Sequence, residues 1–180
     1  MTQEIRGAMK FPFDELNMRD PEHVEWVKSQ RDPELWHAAA IAILNYLGDP
    51  HGFLVWLTEQ PEMDRATAGY IFLGAYGSAY LQGKIDFSGE GLSADQWLRA
   101  MEAISRRAAA IGFTNDSLGL PPACEAERQA CLDLMKRGRV ADGLAVPHAI
   151  LDAPFPPERK LHYFIEDGTL LDYDPGPFVK

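Results

Sequence analysis

From Ala66 to Tyr80 the chain reads A-T-A-G-Y-I-F-L-G-A-Y-G-S-A-Y, fifteen helix-compatible or small residues without a single charge. A helix that is apolar on every side belongs in an interior, because it has no face to offer water. Each glycine within it costs about 1 kcal/mol against alanine, so Gly69 and Gly74 point to neighbours that come close to the backbone. Asp64 stands just ahead of the run, where a carboxylate accepts from the first free amides and suits the positive helix end. The pattern predicts a central helix over 64–76, wrapped by the other helices.

Amphipathic segments surround it. Asp20-Pro21, Asp32-Pro33 and Asp49-Pro50 each set a capping Asp before a proline at the first helical position, where the missing amide costs nothing. Helices are predicted over 21–30, with Val24 and Val27 inward, and over 33–47, with Leu35, Ala39, Ala42, Ile43 and Tyr46 as a buried stripe ended by Gly48. A third, over 50–60, presents Phe53, Trp56 and Leu57 and stops before Pro61. The stretch 83–91 reads as a loop, and Ser93 to Gln96 as a capping box. The helix it opens carries Trp97, Met101, Ile104, Ala108 and Ile111 on one face and is ended by Gly112. A sixth, over 122–137, shows Ala123, Ala126, Ala130, Cys131 and Leu134.

Beyond Gly138 the prolines at 147, 154, 156 and 157 exclude another long helix. L-H-Y-F-I-E-D-G-T-L-L-D-Y is then a β-hairpin around Asp167-Gly168, burying Tyr163, Ile165, Leu171 and Tyr173 or the opposite face. The fold class is mostly α: an orthogonal or antiparallel bundle or short α-solenoid of about six helices with a C-terminal β-hairpin. Three regions follow: an extended arm over 1–19 with Phe11 and Phe13 packing on the body, a helical domain over 20–138, and a proline-rich segment with the hairpin over 139–180, packed on that domain.

Composition narrows the function classes. The chain has 180 residues, with 17 Lys and Arg against 27 Asp and Glu, a net charge of −10. Nucleic-acid and anionic-membrane surfaces need clustered cations, and the one tight cluster, Lys136, Arg137 and Arg139, reads as a helix C-terminus. No apolar run approaches a membrane span of about 18 residues, and the first ten residues lack the apolar core of a signal peptide. The cytoplasm is the expected location, with Cys124 and Cys131 as reduced core residues.

No motif of a metalloprotease, phosphate loop, serine hydrolase or dinucleotide site is present. No catalytic set, metal site or cofactor is therefore expected, and the polar candidates for binding are His37, Asn45, His51 and Asp64. His37 is either an acid, base or ligand near its ordinary pKa or a core-edge histidine bonded to backbone. Asn45 binds a ligand or the backbone near Gly48. His51 receives an anion at a helix start or simply sits in a start capped by Asp49. Asp64 with Thr67 is first an N-cap, and Tyr70, Phe72, Tyr76 and Tyr80 line either a pocket or a core. His162 and Asp172 are expected to face each other across the hairpin.

W-H-A-A-A-I-A-I-L-N-Y-L-G-D, followed by W-L-T-E-Q-P-E-M-D-R-A-T-A-G-Y-I-F, resembles a bacterial domain-of-unknown-function family, number forty-two seventy-four in words. The resemblance runs over about 33–81 through Trp36, His37, Asn45, Asp64, Thr67, Ala68, Ile71 and Phe72, with Met63 where the family pattern has cysteine. It implies an all-helical module and brings no catalytic residues. Negative charge on amphipathic helices, the missing catalytic signature and a hairpin that needs a surface to cover give the expectation of a soluble bacterial protein-binding module, of adaptor or immunity type, with a basic protein partner. The alternative is a small-molecule-binding protein or small enzyme with a pocket between the second, third and fourth helices. A homodimer through the hairpin or the Trp97 helix is a third expectation.

Overall fold

In the computed structural model, which describes residues 10–74, 76–85 and 92–172, the chain is mostly helical with a small antiparallel sheet. The helices are α1 (Pro21–Ser29), α2 (Pro33–Ala42), α3 (Phe53–Thr58), α4 (Arg65–Leu73), α5 (Gly77–Leu81), α6 (Leu92–Ala110), α7 (Pro122–Lys136) and α8 (His148–Leu151). The strands are β1 (Leu16–Asn17), β2 (Tyr163–Glu166) and β3 (Thr169–Asp172), in the order β1-β3-β2. The side chain of Ser93, the residues 86–91 and Tyr173 lie outside the described set, as do the first nine residues and the chain end.

The helix α4 is the interior rod that its uncharged sequence predicts. Ile71, Phe72 and Leu73 are fully buried, each burial contributing about 1.5–3 kcal/mol, and α2, α6, α7 and α8 pack around it. Gly69 is where the closest approach occurs: a Cβ there would meet Cζ of Phe155 at 2.6 Å and Cδ1 of Leu120 at 2.8 Å. The rod is shorter than predicted, ending at Leu73, with α5 as a separate short helix after Tyr76.

Local chemistry sets the other helix starts. The Asp20 side chain accepts from the amide of Glu22, and that of Asp32 from Glu34 and Leu35, each with proline at the first helical position. Asp49 behaves differently. It is buried, and its two oxygens accept from the amides of Phe53 and Leu54 at 2.8 and 2.9 Å. The helix therefore begins at Phe53, after Gly52 with φ +65°, rather than at Pro50.

Three faces are rotated from those that periodicity predicts. The second helix changes to a π-helical turn over Ile43–Leu47, closed by the Gly48 amide on the Ile43 carbonyl at 2.9 Å. The wider turn swings Tyr46 out of the stripe, leaving it 55% exposed. Ile111 is 88% exposed because α6 ends one residue earlier and Gly112 turns the chain at φ +77°. In α7 Cys131 of the predicted stripe is buried, but the residues inward with it are Cys124 and Arg128, while Ala123 and Ala126 are exposed.

Prolines 147 to 157 leave room for α8 only, and three buried or half-buried arginines hold the irregular backbone. Nε of Arg65 donates to the Ala149 carbonyl at 2.7 Å, Nη1 to Asp116 at 2.8 Å and Nη2 to the Ala153 carbonyl, with the guanidinium 3.9 Å over the Phe155 ring. Arg128 donates to the Leu151 carbonyl and pairs with Glu125. Arg107 donates to the Thr58 and Gln60 carbonyls at the end of α3. Such bonds matter because a buried carbonyl without a donor costs about 1–3 kcal/mol.

The hairpin turns at Asp167 and Gly168, both at positive φ as a type I′ turn requires. Its register pairs Glu166 with Thr169, Ile165 with Leu170 and Tyr163 with Asp172. Tyr163, Ile165 and Leu170 accordingly face inward, and Leu171 lies with Phe164 on the outer face, one residue away from the grouping read from sequence. The N-terminal arm supplies β1 alongside β3, and Phe11 stacks on Tyr163 with ring centroids 5.7 Å apart. Among the described residues no helix is long and apolar enough to cross a membrane.

Candidate functional site

The structure brings His37 and Asn45 of the four polar candidates to one seam, between α2 with its π-helical turn and α4. His37 is buried with Nδ1 3.0 Å from the Thr67 hydroxyl. The Tyr70 ring stands edge-on to it at 6.1 Å, one turn further along α4. At the outer end, Nδ2 of Asn45 donates to the Tyr70 hydroxyl at 2.8 Å. The π-helical turn is what aims Asn45 at Tyr70 while sending the Tyr46 ring into solvent.

Asp64 lies at the foot of α4, bonded to Ser117 and the helix start and not to the seam residues. Its Oδ1 accepts from the Ala66 amide at 2.8 Å, and its Oδ2 accepts from the amide and hydroxyl of Ser117 at 2.9 and 3.1 Å. It reaches His37 only through its field. His51 lies apart from the seam, in the turn before α3, where Nε2 donates to the Arg19 carbonyl at 2.8 Å.

Burial sets the electrostatics of the seam. It lowers the pKa of His37 to about 4, against smaller raising effects from the Asp64 and Glu34 carboxylates, so the ring is neutral near pH 7. Burial likewise raises the Tyr70 hydroxyl, partly opposed by the Asn45 bond and reinforced by Cys124, Glu158 and Tyr46 nearby. The Cys124 thiol is pushed up to about 11, by burial first and then by Glu158 and Glu127. A thiol so placed is a core residue rather than a nucleophile.

At its outer rim stand Asn45, Tyr46 and the edge of Tyr70, and the exposed Glu158 carboxylate acts on the Tyr70 hydroxyl through its field. Glu158 gave no sequence signal, since it sits in a proline-rich stretch far along the chain. The other tyrosines diverge, Tyr76 packing on Trp97 at 5.1 Å and Tyr80 on Phe72 at 5.6 Å. His162 is turned from Asp172 toward Glu34, with Nδ1 3.0 Å from its Oε1. Among the described residues, no cluster of three or more His, Cys, Asp or Glu is arranged to hold a metal ion. No family model, no curated protein and no solved structure matches the chain.

Proposed function

We propose that this protein is a protein-binding module of adaptor or immunity type that takes a basic partner at the rim of the α2–α4 seam. The observation that carries the reading is the π-helical turn Ile43–Leu47, which leaves Tyr46 exposed beside an Asn45–Tyr70 bond that fixes the local backbone. Single π-turns cluster at functional positions, and an exposed, rigidly supported tyrosine is a favoured interface anchor. A net charge of −10, with the field of the exposed Glu158 reaching Tyr70, suits Lys or Arg from the partner, placed over the Tyr46 ring.

The small-ligand or enzyme reading draws its support from the same seam. The bonds of Asp64 and His51 to Ser117 and Arg19 favour a structural use of those groups. Affinity capture with the tagged full chain at low ionic strength tests the proposal: a specific basic protein is expected, released by salt and lost with Tyr46→Ala. Equal capture by the variant, or capture insensitive to salt, overturns it.

A further inference from the structure

The sheet order β1-β3-β2 leaves β2 at an edge, with no strand on its far side among the described residues. A type I′ turn makes its flanking pair, Glu166 and Thr169, exchange backbone hydrogen bonds, and the alternation along an antiparallel ladder repeats this at Phe164 and Leu171. The amides and carbonyls of Tyr163 and Ile165 therefore point to the open side. Over Tyr163–Glu166, a four-residue strand, the edge has no proline, bulge or lysine, three of the devices that blunt such edges.

We infer that a second copy of this chain pairs with that edge, antiparallel and centred on Phe164, to give a continuous six-stranded sheet across a twofold axis. The register follows from self-complementarity. Centred on Phe164, the open groups of Tyr163 meet those of Ile165 in the second copy, and Phe164, 53% exposed, meets its own counterpart. His162 then faces Glu166 of the second copy, both on the exposed outer face. His162 Nδ1 is engaged with Glu34, while Nε2 has no bond among the described residues. Centring on Ile165 instead would set Phe164 against Glu166, and centring on Tyr163 would set it against His162, so both waste the apolar match. Leu171, paired with Phe164 on the outer face, extends the apolar strip on each side of the axis.

Light scattering of the full-length chain in the micromolar range tests this, with the dimer mass expected. Phe164→Lys puts like charges opposite each other at an exposed position and is expected to give the monomer mass with an unchanged circular dichroism spectrum. Phe164→Cys reports the register. Directly opposed residues of a pair without backbone hydrogen bonds have Cα atoms about 4.5 Å apart, within disulfide range, so mild oxidation should link two chains. Glu166→Cys, which faces His162 instead of itself, should stay unlinked. A wild-type monomer overturns the inference, as does a dimer that survives Phe164→Lys or fails to cross-link through Phe164→Cys.

Discussion

Nδ1 of His37 and the hydroxyl of Thr67 lie 3.0 Å apart inside the protein, joining α2 to the central rod. The pair places a titratable ring where charge is costly, which makes stability depend on pH in a defined direction. The folded pKa, about 4, lies below the ordinary imidazole value of 6.5, so the unfolded chain binds the proton more readily. The stabilisation is complete above the unfolded pKa and is lost as pH falls from about 6.5 to about 4, by roughly 3 kcal/mol at about 1.4 kcal/mol per pH unit. Urea unfolding at about pH 7 and about pH 5 should show the loss in the wild type and a flatter response in His37→Gln.

Gly69→Ala should destabilise the fold by about 1–3 kcal/mol although alanine is the better helix former, because the added methyl enters the Phe155 ring and the Leu120 side chain. Thermal melts check this. Adding Phe155→Leu should recover part of the loss, giving a double variant less destabilised than the sum of the singles.

Arg65→Met should cost about 2–5 kcal/mol, since it strands the Ala149 and Ala153 carbonyls and Asp116 together. Arg65→Lys should recover little, because an ammonium lacks the planar fork that reaches several acceptors. Amide exchange over 148–155 should speed up in both variants before the rest of the chain responds.

The Tyr163 hydroxyl donates to Oδ2 of Asp32 at 2.6 Å, while Oδ1 of the same carboxylate caps α2. Tyr163→Phe should cost about 1 kcal/mol or slightly more and raise exchange in the hairpin. Asp32→Ala, which also removes the cap, should cost about 1 kcal/mol beyond that.

What the sequence made legible was what neighbouring residues decide. Asp20-Pro21, Asp32-Pro33, the Asp64 cap, the uncharged rod and the Asp167-Gly168 turn are all settled within a few residues of chain, and the structure has each of them. The departures come from distant partners or from a change of helical period. Tyr46 leaves its predicted stripe because the turn there is π-helical, and α7 turns Arg128 inward to reach the Leu151 carbonyl, 23 residues along the chain. Arg65 directly precedes the uncharged run in the sequence, yet its Ala149 and Ala153 acceptors are 84 and 88 residues away. At the candidate site, His37 and Asn45 share a helix pattern, whereas the field of Glu158 at Tyr70 comes from a segment without periodicity.

The account turns on the exposed rim of the seam. Once a basic partner is in hand, calorimetric titration of the purified pair with wild type, Tyr46→Ala and Phe164→Lys is the direct measurement. The expected result is binding that weakens with salt, falls at least about tenfold in Tyr46→Ala and persists in Phe164→Lys. Wild-type affinity in Tyr46→Ala would contradict it.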